Sequence, residues 1–197
     1  MNCAHMRTDD VYQLPADLPV PVDDGAARHL VGAPLSPVAL PSTRGSLVRL
    51  DDAAIRLAVV YCYPRTGRPD AVALGSTAAW NAIPGARGCT PQSCAYRDHH
   101  RKLQELGAVI YGLSTQPTDY QREAVNRLHL PFELLSDSAG EFSARLRLPW
   151  FEVAGVRLLK RVTLIIRQGR IAHCIYPVFP PDKDAETVIT WIRGHAA

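Results

Sequence analysis

The chain has 197 residues, of which 47% are hydrophobic, so it is long enough for one domain with a sizeable core. Its net charge of +3 comes from scattered basic residues, and this argues against nucleic-acid-binding and membrane-binding proteins. The first residues lack the apolar core of a signal peptide, and no stretch has the apolar length of a membrane span, so we expect a cytoplasmic protein.

The N-terminal region predicts an arm followed by a hairpin. Residues 1–28 are rich in Pro and Asp and are expected to be extended, and residues 29–197 are expected to form one domain. Between Leu30 and Leu50, short apolar runs flank a turn at Thr43–Ser46, which predicts two paired extended segments.

The next strand is followed by an insertion. The apolar run Leu57–Tyr63, ended by Pro64, predicts a strand that is buried on both faces of a sheet, with Cys62 as core filler. Residues 65–83 have no sustained period and are expected to form a loop insertion beside the site. Trp80 in this insertion either covers a pocket or anchors a surface loop.

The remaining patterns predict alternating strands and helices. They are a helix from near Cys89 to between Leu103 and Gly107, a strand over 108–113, a helix opened by a capping box at 118–121, a strand over 132–135, a short helix opened by a second capping box at 138–141, a hairpin over 162–176 and a helix from near Asp182 or Asp184 to Gly194. This order predicts an α/β fold with a central mixed sheet flanked by helices.

The five cysteines, at positions 3, 62, 89, 94 and 174, are too few for a disulfide scaffold in a chain of this length. They contain no C-x-x-C pair, which argues against a structural zinc site. The adjacent His99 and His100 would point to different faces of a helix. We therefore expect no metal and no other cofactor, and redox chemistry remains as a role for the cysteines.

Cys89 lies where a glycine-bearing loop is predicted to become a helix. Pro91 suits the first turn of a helix, so Cys89 is expected at or beside the helix N-terminus. Free amides and the helix dipole favour an anion there, and Arg87 and Arg97 could add positive charge, so Cys89 is the candidate nucleophile. Arg87 is expected to be a solvated loop charge, with contact with the site as the less favoured alternative.

Cys94 lies five positions after Cys89. On an ideal helix this spacing separates the Cα atoms by roughly 8 to 9 Å. A disulfide requires a separation within about 7 Å, so joining the two thiols requires the first helical turn to open. This arrangement is typical of a redox device and not of a rigid structural staple.

At these residues the sequence resembles the peroxiredoxins, most closely the Q type, also called bacterioferritin comigratory proteins. Their signature is roughly Y-P-x-x-x-T-P-G-C-T-x-x-x-C-x-x-R-D, and Gly88-Cys89-Thr90, Cys94 and Arg97-Asp98 match it in register. Gln92 occupies a position where that group often has Glu or Gln. The resemblance implies a thioredoxin-like fold, with Cys89 as the peroxidatic cysteine and Cys94 as the resolving cysteine.

The resemblance also assigns an arginine and leaves alternatives for the second thiol. The family has an active-site arginine just before a late strand, and Arg161 matches it. Cys94 could instead be a half-buried helix residue, with Cys174 or an external thiol as the resolving group. Cys174 alternates with apolar residues in a strand pattern, which favours a place in the core.

The sequence departs from the signature at one position. The family has a Thr three residues before the reactive cysteine that helps to hold the peroxide, and this chain has Ala86 there. The Tyr-Pro part of the motif occurs at Tyr63-Pro64, on the far side of the insertion. Either Thr66 folds back to supply the hydroxyl, or this contact is absent.

The function that the resemblance implies is a thiol peroxidase that reduces hydrogen peroxide or organic hydroperoxides. The expected reductant is thioredoxin or glutaredoxin, and a monomer is favoured over a dimer. One alternative is a disulfide oxidoreductase, although such enzymes usually use C-x-x-C. The other is a thioredoxin-fold redox sensor or binding module without turnover, which Ala86 and the insertion keep open.

Overall fold

The structure, a computed structural model, describes residues 10–68, 74 and 76–195. Its strands are β1 Ala39–Pro41, β2 Leu47–Arg49, β3 Leu57–Cys62, β4 Val109–Ser114, β5 Glu133–Ser136, β6 Trp150–Val153, β7 Val156–Leu159, β8 Val162–Arg167 and β9 Arg170–Ile175. Its helices are α1 Thr77–Asn81, α2 Cys89–Asp98, α3 His100–Glu105, α4 Thr118–Leu128, α5 Glu141–Leu146 and α6 Asp184–Gly194, the last preceded by a 3-10 turn over Pro181–Lys183.

A mixed sheet with the strand order β5-β4-β3-β8-β9 forms the centre of the fold. Strand β3 pairs parallel with β4 and antiparallel with β8, and all six of its residues are buried, as its apolar run predicts. The predicted central mixed sheet is confirmed. The hairpin β8–β9 is confirmed too, and its turn residues Gln168 and Gly169 both have positive φ, as a two-residue hairpin turn requires.

Helices cover both faces of this sheet. On one face, α2, α3, α4 and α6 pack on apolar residues of β3, β4 and β8. On the other face, α5 and the segment around the β1–β2 hairpin enclose a second cluster, which includes Cys62 as predicted. Within the described residues, no helix is both long enough and apolar enough to cross a bilayer.

The helix that was expected to run from Cys89 to between Leu103 and Gly107 is divided in two. It ends at Asp98, and α3 begins at His100, because His99 between them has φ −98° and ψ 3°. Cys89 and Cys94 therefore both lie on α2, which is shorter than the single helix that the sequence predicted.

Both predicted capping boxes are wrong. The residue that precedes α4 is Pro117, and Thr118 is already helical, so its side chain cannot cap the helix. Before α5 the cap position is Gly140, and the free amides of Phe142 and Ser143 donate instead to the carboxylate of Asp137, at 3.0 and 2.9 Å. An aspartate further upstream thus performs the capping role.

The sequence patterns missed the hairpin β6–β7, which pairs Trp150 with Leu159 and forms a small sheet of its own. Its turn has positive φ at Ala154 and Gly155. Only Leu158 and Leu159 of this hairpin are fully buried, so its apolar pattern is weak.

The predicted arm and insertion fall partly outside the described residues, at 1–9 and at 69–73 and 75. The division into an arm and one domain stays a prediction. In the described part of the insertion, Trp80 on α1 is 8% exposed and packs with Ala86 and Leu158. Trp80 therefore anchors this segment beside the loop that leads to Cys89.

Candidate active site

The sheet brings Arg161 to the chain that leads to Cys89. Strand β3 ends at Cys62, which pairs with Val162 at the beginning of antiparallel β8. Because antiparallel neighbours run in opposite directions, the end of β3 and the beginning of β8 lie at one edge of the sheet. Arg161, one residue before β8, therefore lies beside the segment that leaves β3 toward α2.

Cys89 is the first residue of α2 and is 4% exposed. Gly88 before it has φ 104°, and a Cβ there would lie 2.4 Å from Pro181 Cγ and 2.8 Å from Leu14 Cδ2. Only glycine fits this close crossing of three segments. The Cys89 thiol lies 3.8 Å from the carbonyl oxygen of Ala86, to which it donates. The structure thus has Cys89 at the helix N-terminus expected from Pro91.

Arg161 contacts the sulfur directly. Its Nη2 lies 3.4 Å from Cys89 Sγ and 3.1 Å from the carbonyl oxygen of Arg87. Its Nη1 donates to Gln92 Oε1, and the residue is 3% exposed. A buried guanidinium that donates to sulfur stabilises negative charge that develops at or beside that sulfur.

A buried carboxylate continues this contact network. Asp184 Oδ2, at the beginning of α6, accepts from Gln92 Nε2 at 2.7 Å, Thr163 Oγ1 at 2.7 Å and Tyr96 Oη at 2.8 Å. Burial raises the pKa of Asp184, and the three hydrogen bonds act in the opposite direction. Sequence reasoning missed this residue, because its partner Gln92 is far away in the chain.

Aromatic packing holds α2 against the sheet. The ring of Tyr61 on β3 stacks on Tyr96 of α2, with centroids 4.4 Å apart and planes at 10°. The Tyr61 hydroxyl donates to Ser93 Oγ at 3.1 Å. Gly112 makes room for this ring, because a Cβ there would lie 2.7 Å from Tyr61 Oη. The body of α2 is therefore fixed while its thiols lie near its first turns.

Cys94 is the second thiol on α2 and is half-buried. Neither its sulfur nor that of Cys89 forms a disulfide. It lines an open cavity of about 510 Å³, together with residues 12–14 of the arm, Pro91 and Asp98. Burial raises the pKa of the Cys94 thiol, and the charge of Arg97 acts in the opposite direction. Since α2 is continuous, the two sulfurs can join only if its first turn opens.

In the structure the Thr66 hydroxyl is hydrogen-bonded to Gln116 and not to Cys89. The Thr66 side chain is fully buried, and its hydroxyl and amide both donate to Gln116 Oε1, at 3.1 and 2.8 Å. Among the described residues, the hydrogen bonds that involve Cys89 Sγ are those with Ala86 and Arg161. Ala86 is itself fully buried.

Arg87 is buried, and the expectation of a solvated loop charge is wrong. It is 6% exposed, and its Nη2 donates to the carbonyl oxygens of Asp10 and Gln13, the latter at 3.4 Å. Nothing in the local sequence indicates these partners, because they lie more than seventy positions away. The arm is thus attached to the loop that precedes Cys89.

A pocket of about 300 Å³ opens beside Arg161. Its walls are largely apolar and come from the arm, the loop before Cys89, strand β6 and the segment after β9; they include Val20, Pro21, Val22, Ile83, Pro84, Phe151 and Val178. The pocket connects the surface with the side of the site on which Arg161 lies.

The other cysteines and the histidines form no second centre in the part of the chain that is described, where no group of three or more His, Cys, Asp or Glu side chains could hold a metal. Cys174 on β9 is half-buried, and burial raises its pKa to about 12. It packs against the same cluster as Cys62, in agreement with the strand pattern.

Known proteins resemble this chain in both sequence and structure. The sequence pattern of the Redoxin family matches residues 30–189. The chain is 26% identical to the chloroplastic peroxiredoxin Q of Sedum lineare over 169 residues, 85% of this chain and 80% of that protein. It is 28% identical to peroxiredoxin Bcp of Escherichia coli K12 over 163 residues, 80% of this chain and 91% of that protein. The crystal structure of peroxidoxin BcpB from Mycobacterium tuberculosis superposes with a TM-score of 0.66 at 22% identity, covering 85% of this chain and 99% of that one.

A thioredoxin-like mixed sheet with a buried cysteine at a helix N-terminus defines a thiol-based redox protein, and the match over 30–189 shows that the chain belongs to the Redoxin family. Its relatives over most of its length are peroxiredoxins of the Q and Bcp type. The chain is accordingly a peroxiredoxin, an enzyme that reduces peroxides at the expense of a thiol.

Proposed function

We propose that Cys89 is the peroxidatic cysteine, that Cys94 resolves its oxidised form, and that Arg161 stabilises the thiolate and the departing oxygen. The observation that carries this assignment is the 3.4 Å contact between Arg161 Nη2 and Cys89 Sγ at the N-terminus of α2. A guanidinium and free helix amides around one sulfur provide the positive field that peroxide reduction requires.

In the first step the Cys89 thiolate attacks one oxygen of the hydroperoxide. The S–O bond forms and the O–O bond breaks, so the sulfur is oxidised to sulfenic acid, and the departing oxygen takes up a proton and leaves as water or an alcohol. Arg161 is positioned to donate to negative charge near the sulfur, since both of its terminal nitrogens face this site.

In the second step the thiol of Cys94 attacks the Cys89 sulfur, the S–S bond forms, and the S–O bond breaks with release of water. The first turn of α2 opens to allow this approach. A dithiol reductant of the thioredoxin or glutaredoxin type then transfers two electrons and restores both thiols.

The pocket beside Arg161 supports an organic hydroperoxide as a substrate besides hydrogen peroxide. Its apolar walls would bury a hydrocarbon group while the peroxide reaches the sulfur. Phe151→Ala is expected to raise the KM for cumene hydroperoxide several-fold and to leave the KM for hydrogen peroxide nearly unchanged. Equal changes for both substrates would argue against a role of this wall in binding.

The deciding experiment measures peroxide consumption with excess dithiothreitol in the wild type, Cys89→Ser and Cys94→Ser, and counts free thiols after one equivalent of peroxide. We expect many turnovers in the wild type and none in Cys89→Ser. Two thiols should be lost per peroxide in the wild type and one in Cys94→Ser. Turnover that survives in Cys89→Ser would reject the assignment.

A monomer and a cytoplasmic location stay predictions from the sequence. Light scattering coupled to gel filtration tests the first, and should give the mass of a single chain in both the reduced and the oxidised state.

A further inference from the structure

We propose that Asp184 is a positioning residue, which orients Gln92 and through it holds Arg161 against the reactive sulfur. The inference rests on the proposed role of Cys89 and adds to it a residue of the C-terminal helix. Asp184 does not touch the sulfur, so its effect passes through Gln92.

The amide of Gln92 has a donor end and an acceptor end, and both are used. Its Nε2 donates to Asp184 Oδ2 at 2.7 Å, and its Oε1 accepts from Arg161 Nη1. A guanidinium can only donate. If the amide were reversed, its donor end would face Arg161, and an acceptor would face the oxygen of Asp184. Asp184 and Arg161 therefore together fix which way the amide lies, and Asp184 holds the donor end.

The orientation does not depend on whether Asp184 carries a proton. Three donors, from Gln92, Tyr96 and Thr163, converge on Oδ2, so that oxygen accepts in either state. Oδ1 is buried and has no recorded partner among the described residues, so a proton could reside there. Asp184 is 2% exposed, and water has little access to loosen the arrangement.

The same contacts connect three elements at the site. Gln92 belongs to the first turns of α2, Arg161 precedes β8, and Asp184 begins α6. The bridge from Asp184 to Gln92 therefore also restrains the turn that must open before Cys94 can reach the Cys89 sulfur. Asp184 should favour the first chemical step and oppose the second.

Opposite effects on the two steps distinguish positioning from a merely structural role. In Asp184→Ala, Gln92 and Arg161 lose their fixed arrangement, and we expect the reaction of Cys89 with iodoacetamide to slow about tenfold. Once Cys89 is sulfenic acid, disulfide formation should become about threefold faster, because the first turn opens more readily. Asp184→Asn keeps an oxygen for the three donors, so both rates should stay within about twofold of wild type.

The experiment follows alkylation of the Cys89 peptide by mass spectrometry, and disulfide formation by quenched flow after one equivalent of peroxide. Val188→Ala is the matched control, because Val188 is fully buried on α6 and lies outside the polar network. It should leave both rates nearly unchanged. If Asp184→Ala does not fold, Gln92→Met removes both hydrogen bonds at similar volume and should give the same opposed changes.

Unchanged alkylation in the variant tested, or slowing of both steps instead of opposed changes, would overturn the proposal. Loss of both rates in Asp184→Asn would also overturn it. Alkylation requires no peroxide, so this result is separate from the outcome for the proposed function, which depends on turnover in Cys89→Ser.

Discussion

Arg161 uses both terminal nitrogens at once, one on Cys89 Sγ and one on Gln92. Lysine keeps the charge, but it has a single ammonium group on a flexible stem and cannot make both contacts in a fixed geometry. We expect Arg161→Lys to slow alkylation of Cys89 by about tenfold and peroxide turnover by at least as much. Competition kinetics with iodoacetamide measure the first. A rate equal to that of wild type would mean that charge alone is sufficient.

Cys94 should make disulfide formation depend on pH. Burial raises the pKa of this thiol above its ordinary value of 9.0, so at neutral pH little of it is the attacking thiolate. The rate of disulfide formation after one equivalent of peroxide should therefore rise about tenfold per pH unit through the neutral range. Quenched-flow measurement at several pH values tests this. A rate that is independent of pH would indicate that helix opening alone limits the step.

At the scale of single residues, neighbouring residues predict where Cys89 and Cys94 lie, whereas contacts between distant parts of the chain complete the site. The position of Cys89 follows from a helix start and that of Cys94 from a spacing, whereas Arg161 is assigned by the resemblance to peroxiredoxins. The burial of Arg87 and the contacts of Asp184 do not follow from the local sequence, because their partners lie 77 and 92 positions away in the chain. Such pairs are set by how the elements pack, and nothing in the neighbouring residues encodes them.

At the scale of elements, the insertion packs against Ala86, the position where the family has a threonine. Helix α1 packs Trp80 beside Ala86, which is fully buried next to Leu158. The space that a larger side chain would need at position 86 is therefore occupied. Restoring the family residue alone should strain the packing between the insertion and the loop.

We expect Ala86→Thr to lower the free energy of unfolding by about 1–3 kcal/mol, because it adds two heavy atoms to a filled site. Trp80→Leu should recover part of this loss when the two changes are combined, which a double-mutant cycle in urea would detect. Strictly additive losses would show that Trp80 and position 86 do not compete for space.

Some helices and strands can be predicted from the sequence, and others cannot. The segments of β3 and β8 are continuous apolar runs that lie buried in the sheet, so their composition and length predict them as strands. The hairpin β6–β7 stands apart from the central sheet and is mostly exposed, and its Ala154-Gly155 turn lacks the usual hairpin residues. The break between α2 and α3 at His99 likewise has no neighbouring Gly or Pro from which it could be predicted.

At the scale of the whole molecule, hydrogen bonds attach the arm near both ends of its described part. Near its end, Asp24 accepts from Lys160 Nζ at 2.6 Å and from the Tyr176 hydroxyl at 2.8 Å. Near its described beginning, Arg87 holds the carbonyl oxygens of Asp10 and Gln13. The chain between these points passes the pocket beside Arg161 and the cavity at Cys94.

The Asp24 attachment should weaken in acid. The hydrogen bonds from Lys160 and Tyr176 lower the pKa of Asp24 from 3.8 to about 2, so the ionised form is favoured in the folded state. The stabilisation is complete above the unfolded value of 3.8 and is lost as the pH falls toward 2. Since the pair is partly exposed, Asp24→Asn should cost less than about 1 kcal/mol at neutral pH.

Denaturation of wild type and Asp24→Asn across this range checks the prediction. The difference in free energy of unfolding should begin to shrink near pH 4 and be lost as the pH falls through about 2. A difference that stays constant with pH would mean that Asp24 stabilises the arm through its shape and not through its charge.

The course of the arm also provides a position for a fluorescent probe of oxidation. Tyr12 is 49% exposed, lies with its ring 5.7 Å from the Arg127 guanidinium, and lines the cavity at Cys94. In the proposed cycle Cys94 leaves α2 to join Cys89, and one wall of that cavity would move. In Tyr12→Trp, the fluorescence of the introduced tryptophan should change when this wall moves. Subtracting the fluorescence of the unsubstituted chain would then follow each catalytic cycle in real time without an added dye.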